Sequence, residues 1–180
     1  PFYVLNAATV AARDYGGSIE WFCEEMEAQT HIVETAQEII LRRAFEGLST
    51  EVRESIAVLS VADVALSKDE ATKLLKGACG LDMKGAAARL RARPSTGALE
   101  LFGMTGLKIH DAVRMLGRAE LAARGPDLEN KSYEALRGII MRSIREDWSI
   151  GKLSLLIRLF GQLGDAMILV QFATDELFHE

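Results

Sequence analysis

ALELFGMTGLKIHDAVRMLG, Ala98–Gly117, is the stretch whose reading decides the fold. Its first half alternates, with Leu99 and Leu101 on one side and Glu100 on the other. A Gly-Met-Thr-Gly turn follows at Gly103–Gly106, and Leu107 and Ile109 resume the alternation around Lys108. This pattern predicts a short two-stranded hairpin with one buried face. At His110-Asp111 the period changes, and Ala112, Val113, Leu116 and Ala119 recur at helical spacing. A histidine and an aspartate therefore stand where a strand hands over to a helix. Asp111 is a natural helix N-terminal residue, and the free backbone N–H groups of a helix start attract anions.

Upstream, residues 1–47 read as helices only and form an expected bundle domain. Phe2, Leu5 and Val10 open a first helix that stops near Tyr15-Gly16-Gly17. Ser18 can cap a second, in which Ile19, Phe22, Cys23 and Met26 share one face and Glu24, Glu25 and Glu27 point to water. A third is expected from His31 to Phe45, with Ile32, Ala36, Ile39, Ile40 and Ala44 inward and Gly47 as its stop. Residues 48–124 differ. A helix carrying Val52, Ile56 and Leu59 leads to a strand stub at Val64–Leu66, and Ser67-Lys-Asp-Glu70 is a capping box. The helix it opens ends at Gly77 or Gly80. Asp82 caps another, which runs to Arg93 and is closed by Pro94. With the hairpin Ala98–Ile109 as the wing, this is the order of a winged helix-turn-helix. Gly125-Pro126-Asp127 breaks the chain, and residues 125–180 are helical again. Tyr133, Leu136, Ile139, Ile140 and Ile144 form one stripe, and Leu153, Leu156, Ile157 and Phe160 follow Ser149. Gly161 and Gly164 bracket a turn before a last helix with Ile168, Leu169 and Phe172. The fold class expected is mostly α: a small bundle, a winged helix with a β-hairpin wing, and an αα-hairpin of the kind stacked in helical arrays.

The composition fits this. Of 180 residues, 49% are hydrophobic, enough for a core, and three prolines leave long stretches free for helices. A net charge of −5 argues against an all-over nucleic-acid binder while leaving room for a local basic patch. No apolar run approaches a membrane span, and no leader pattern marks secretion, so a cytoplasmic protein without membrane contact is expected. Cys23 and Cys79 fit no metal or redox spacing and read as buried free thiols. A first residue other than Met points to a fragment of a longer chain.

Taken whole, the order of modules resembles the C-terminal half of the nucleotide-binding module in STAND-type signalling NTPases, the NB-ARC group. In that family the bundle begins at a Gly-x-Pro motif whose proline packs near the adenine, and PFYVLNAA from Pro1 is similar to the tail of that motif. The family's winged helix closes with Met-His-Asp. Here Ile109-His110-Asp111 stands in its place, with Ile for Met and the polar pair intact. The resemblance, which covers Pro1 to Arg124, implies that His110 contacts the β-phosphate of ADP, that Asp111 supports it and that Pro1 lies beside the adenine. It also implies partners: the protein's own N-terminal nucleotide-binding domain, and further copies of the chain when the switch opens.

The chain contains no G-x-x-x-x-G-K-[ST], so it lacks a phosphate cradle of that type and its lysine. Any ADP or ATP would be held mainly by the missing domain, and no catalytic motif is present here. The rival reading is a DNA-binding regulator. Lys84, Arg89, Arg91 and Arg93 lie on the second helix of the helix-turn-helix, where phosphate contacts would come from. Against it, Asp82–Arg93 has no Asn, Gln, Ser or Thr to read base edges. A nucleotide-independent interaction scaffold is the third reading. Glu20, Glu24, Glu25 and Glu27 lack a histidine or metal-ligand pattern and read as a solvated face, and Trp21 and Trp148 read as packing residues.

Overall fold

The computed structural model describes residues 2–29, 35–81, 99–102, 106–165, 167–168 and 170–171. Within them the chain is mostly helical with one small antiparallel sheet. The helices are α1 (Phe2–Asp14), α2 (Ile19–Gln29), α3 (Ala36–Glu46), α4 (Thr50–Leu59), α5 (Lys68–Cys79), α6 (Asp111–Ala123), α7 (Pro126–Glu146) and α8 (Ile150–Leu163). The strands are β1 (Leu66–Ser67), β2 (Leu99–Phe102) and β3 (Gly106–Ile109). Sheet order is β1-β3-β2. The expected hairpin is present, with Leu99 opposite Ile109 and Leu101 opposite Leu107. Gly106 already pairs with Phe102 rather than lying in the turn, and β1 pairs Leu66 with Leu107. Leu107 and Ile109 are buried, as the alternation required.

Local signals explain most boundaries. Ser67 accepts from the Glu70 N–H at 3.1 Å, while the Glu70 carboxylate accepts from the Ser67 N–H at 2.6 Å, a closed capping box. Gly80, left-handed at φ 73°, ends α5, so the stop is Gly80 and not Gly77. Gly125 at φ 102° followed by Pro126 at the first turn makes the sharp break before α7. The third helix departs from expectation. It starts at Ala36, because Thr35 is extended and forms its own capping box with Glu38. The expected start at His31 lies outside the described residues.

Two apolar cores result. One joins α1, α2 and α3 through Val10, Tyr15, Phe22, Met26 and Ile39. The other runs from Phe45 to Phe160 and takes in α4, α5, the sheet, α6, α7 and α8. It continues across the turn at Gly125, so the αα-hairpin packs its stripe (Tyr133, Leu136, Ile139, Ile140) into the same interior as Ile56 and Leu74. Arg137, well back from the loop joining α7 to α8, meets Phe160 and Asp165 at the far end of α8, as an antiparallel pair requires. Helices α4 and α6 approach closely at Gly117, where a Cβ would lie 2.1 Å from Ser60 Oγ. Burial requires several corrections. Ile19 and Cys23 are exposed, not on the inner face of α2, and Cys79 is only half-buried. In α8 the inward residues are Leu155, Leu156, Leu159 and Phe160, while Ile157 is exposed. Gly161 belongs to α8, and Gly164 alone ends it. Helical backbone resumes at 167–168 and 170–171.

Candidate functional site

The site is built where β3 ends. Strand pairing carries the chain as far as Ile109, and α6 begins at Asp111, so His110 is the single residue between two regular elements. A helix start leaves its first N–H groups without intrahelical acceptors. Here the imidazole supplies one: His110 Nδ1 accepts from the Ala112 N–H at 3.1 Å. The N-cap is therefore His110. The expectation that Asp111 would do the capping is corrected, because Asp111 is already the first helical residue. Its carboxylate turns outward, with the side chain 61% exposed, and pairs with Lys108 at 3.0 Å and Arg114 at 3.2 Å. The Lys108 hydrogen bond, helped by the positive charge of Arg114, holds the Asp111 carboxyl below the ordinary range.

A second element reaches the same point from far along the chain. Phe2, the first residue of α1, stacks flat on the His110 ring, with centroids 4.1 Å apart and planes within 7°. Phe2 also packs against the larger core, although the rest of α1 serves the smaller one. The stack thus places the start of α1 beside the start of α6. Both ends carry the positive pole of a helix dipole. The first turn of α1 holds no acidic residue, and the acid in the first turn of α6 is already ion-paired. An oxyanion with several acceptor oxygens fits such surroundings. Among the described residues no group of three His, Cys, Asp or Glu is placed to hold a metal ion.

The other expected site residues fare differently. Pro1 lies outside the described residues, as do Lys84, Arg89, Arg91 and Arg93 of the expected basic helix. Of the acidic residues of α2, Glu25 pairs with Arg43 at 3.1 Å and also accepts from Gln29, which makes it structural. Trp21 and Trp148, expected to pack, are 56% and 62% exposed. Sequence reasoning missed Phe2. An aromatic one residue after Pro1 carries no spacing signal toward a histidine that enters much later in the chain. It also missed a polar cleft of about 310 Å³ between α5, α7 and the start of α8. Lys152 closes this cleft, 3.5 Å from Glu70 and 3.3 Å from Asp147. Burial raises the Glu70 carboxyl, but hydrogen bonds at its cap from Ser67 and the charge of Lys152 outweigh it, leaving the group below the ordinary range. These charges largely satisfy one another.

Comparison with protein-family models, with curated proteins and with solved structures found no match for this chain.

Proposed function

We propose that this chain is the nucleotide-sensing, ADP-locking half of a STAND-type signalling ATPase, made of a helical bundle, a winged helix and the first helices of a C-terminal array. The observation that carries the reading is the stack of Phe2 on His110. The resemblance nominates Pro1 and His110 for one nucleotide from opposite ends of two modules, and the residue joined to Pro1 lies against that histidine. Two helix starts converge there, and the acidic side chain of the pair is neutralised by its own cations. The pairing of β1 with β3 beside the β2–β3 hairpin supports the winged-helix part.

In this reading, ADP supplies a diphosphate that ties His110 to the phosphate-binding loop of an N-terminal domain. The residues of this chain orient and hold. Ala112 keeps the imidazole turned, Lys108 and Arg114 keep Asp111 away from the anion, and Phe2 joins the bundle to the larger core at the same point. A switch of this kind works only through contacts that differ between its two states, and the contact on this side is His110.

The test is His110→Ala in a protein that includes the nucleotide domain. Loss of ADP retention and a rise in basal activity are expected; if both stayed at wild-type levels, the reading would be wrong. The present chain alone is expected to show no saturable ATP or ADP binding at micromolar nucleotide, since its sequence holds no G-x-x-x-x-G-K-[ST] motif. Tight binding by the isolated chain would overturn the division of the site between two domains.

A further inference from the structure

Two contacts on one imidazole say more than that His110 stands at a helix start. Its Nδ1 accepts a hydrogen bond from a backbone N–H. A ring nitrogen that accepts carries no proton, so in the neutral imidazole the proton sits on Nε2. Exchanging the roles of the two edges requires the ring to turn about its own bond. The Phe2 face, 4.1 Å away and almost parallel, lies in the path of that rotation. The neighbouring carboxylate, Asp111, is held by Lys108 and Arg114.

We infer that Phe2 is a positioning residue that, with the Ala112 N–H, locks His110 as the neutral Nε2–H tautomer, so that the histidine serves as a hydrogen-bond donor to an anionic oxygen. Only the identification of that oxygen as a nucleotide phosphate rests on the proposed function; the locked tautomer stands on geometry. A ring held this way is set up neither to ligate a metal through Nε2 nor to take a proton there as a general base. The helix start fixes which nitrogen donates, and the aromatic face fixes the plane in which it donates. Residues on two modules must therefore be docked before the donor is correctly aimed. Separating α1 from α6 releases the ring as well as the apolar contact.

Long-range nitrogen–proton NMR spectra of the 180-residue chain above the titration range of histidine would read the tautomer, with the His110 signals assigned by their absence in His110→Gln. Wild type is expected to show a protonated Nε2 and an unprotonated Nδ1. Phe2→Leu keeps an apolar side chain but no flat face, and is expected to give averaged signals from both tautomers. Phe2→Tyr keeps the face and should restore the wild-type pattern. A protonated Nδ1 in wild type would overturn the inference, as would a Phe2→Leu spectrum identical to wild type. In a protein that includes the nucleotide domain, Phe2→Leu is expected to weaken ADP retention about fivefold, the effect of losing one aromatic pair, with recovery in Phe2→Tyr. Where His110→Ala lowers ADP retention, unchanged retention in Phe2→Leu would overturn the positioning role. If instead His110→Ala itself left ADP retention intact while the tautomer stayed locked, the nucleotide reading would fail and the positioning of the ring would stand.

Discussion

The two cores each contain an arginine laid against a tyrosine, and the two arginines do different work. In the smaller core Arg43 lies 5.7 Å from the Tyr15 ring centroid and donates to its hydroxyl, to Glu25 and to Gln29. These are side-chain partners on the end of α1 and on α2. In the larger core Arg118 lies 5.8 Å from the Tyr133 centroid and donates to its hydroxyl at 2.8 Å. It also donates to the backbone carbonyls of Ser60 at 2.9 Å and Val61 at 3.0 Å. Those carbonyls end α4 in the interior, where Ser60 and Val61 are fully buried. A side-chain partner can turn toward water when its arginine is lost, but a buried helix end cannot. Arg43 is an adjustable link in the small core, whereas Arg118 in the large one binds carbonyls that cannot turn away.

The largest expected effect comes from the apolar interiors themselves. Phe160→Ala should cost about 3–5 kcal/mol, because the side chain is fully enclosed between α7 and α8. Phe22→Ala, at a residue 8% exposed in the small core, should fall at the lower end, about 3 kcal/mol. Urea denaturation followed by circular dichroism would compare them; equal losses in one shared transition would show that the two cores behave as one. Next come the arginines. Arg118→Met should cost about 2–3 kcal/mol, since it orphans two buried carbonyls, and Arg43→Met about 1 kcal/mol. The reverse order of midpoints would show that the carbonyls at the end of α4 find other donors when Arg118 is lost.

The smallest effects sharpen the comparison through the two capping boxes. Ser67→Ala should cost about 1 kcal/mol, and Thr35→Ala, on an exposed helix start, less. The box in the larger core also makes stability depend on pH. The Glu70 carboxyl is held below its ordinary value of 4.5, so the folded state binds its proton less readily than the unfolded one. Its contribution is complete above about pH 4.5 and is lost as pH falls through the lower folded value. The margin by which the wild-type denaturation midpoint exceeds that of Glu70→Gln should be larger at pH 6 than at pH 3. A constant gap at both would mean that the carboxylate charge is not what stabilises the cap.

Legibility in the sequence followed the range of each interaction. The Ser67–Glu70 box, the hairpin and the stripe on α7 involve neighbours a few residues apart, and each was readable from spacing. The inner face of α8 was not. Leu153, Leu155, Leu156, Ile157, Leu159 and Phe160 surround that helix so fully that periodicity does not choose a face, and packing against α7 chose Leu155 and Leu159 over Ile157. Glu25 reads as solvated from its own helix and becomes a partner only because α3 brings Arg43 beside it. At the candidate site the strand-to-helix joint with its histidine and aspartate was legible. The cap itself was assigned to Asp111 by residue preference, whereas the chain leaving β3 put the His110 ring where the acceptor was needed.

By itself the sequence determined most of the described helices, the capping box at Ser67, the hairpin, the break at Gly125-Pro126 and the position of His110 at the joint, because each depends on hydrogen bonds and alternation within one turn or one strand pair. Only the tertiary structure decided that Phe2 lies on His110, that the core runs on from Gly125 into the αα-hairpin, and that Arg118 closes the end of α4. Those contacts join residues far apart in the chain. Their free energy comes from surfaces that meet only after the helices have formed and packed, and no local pattern encodes which surface meets which.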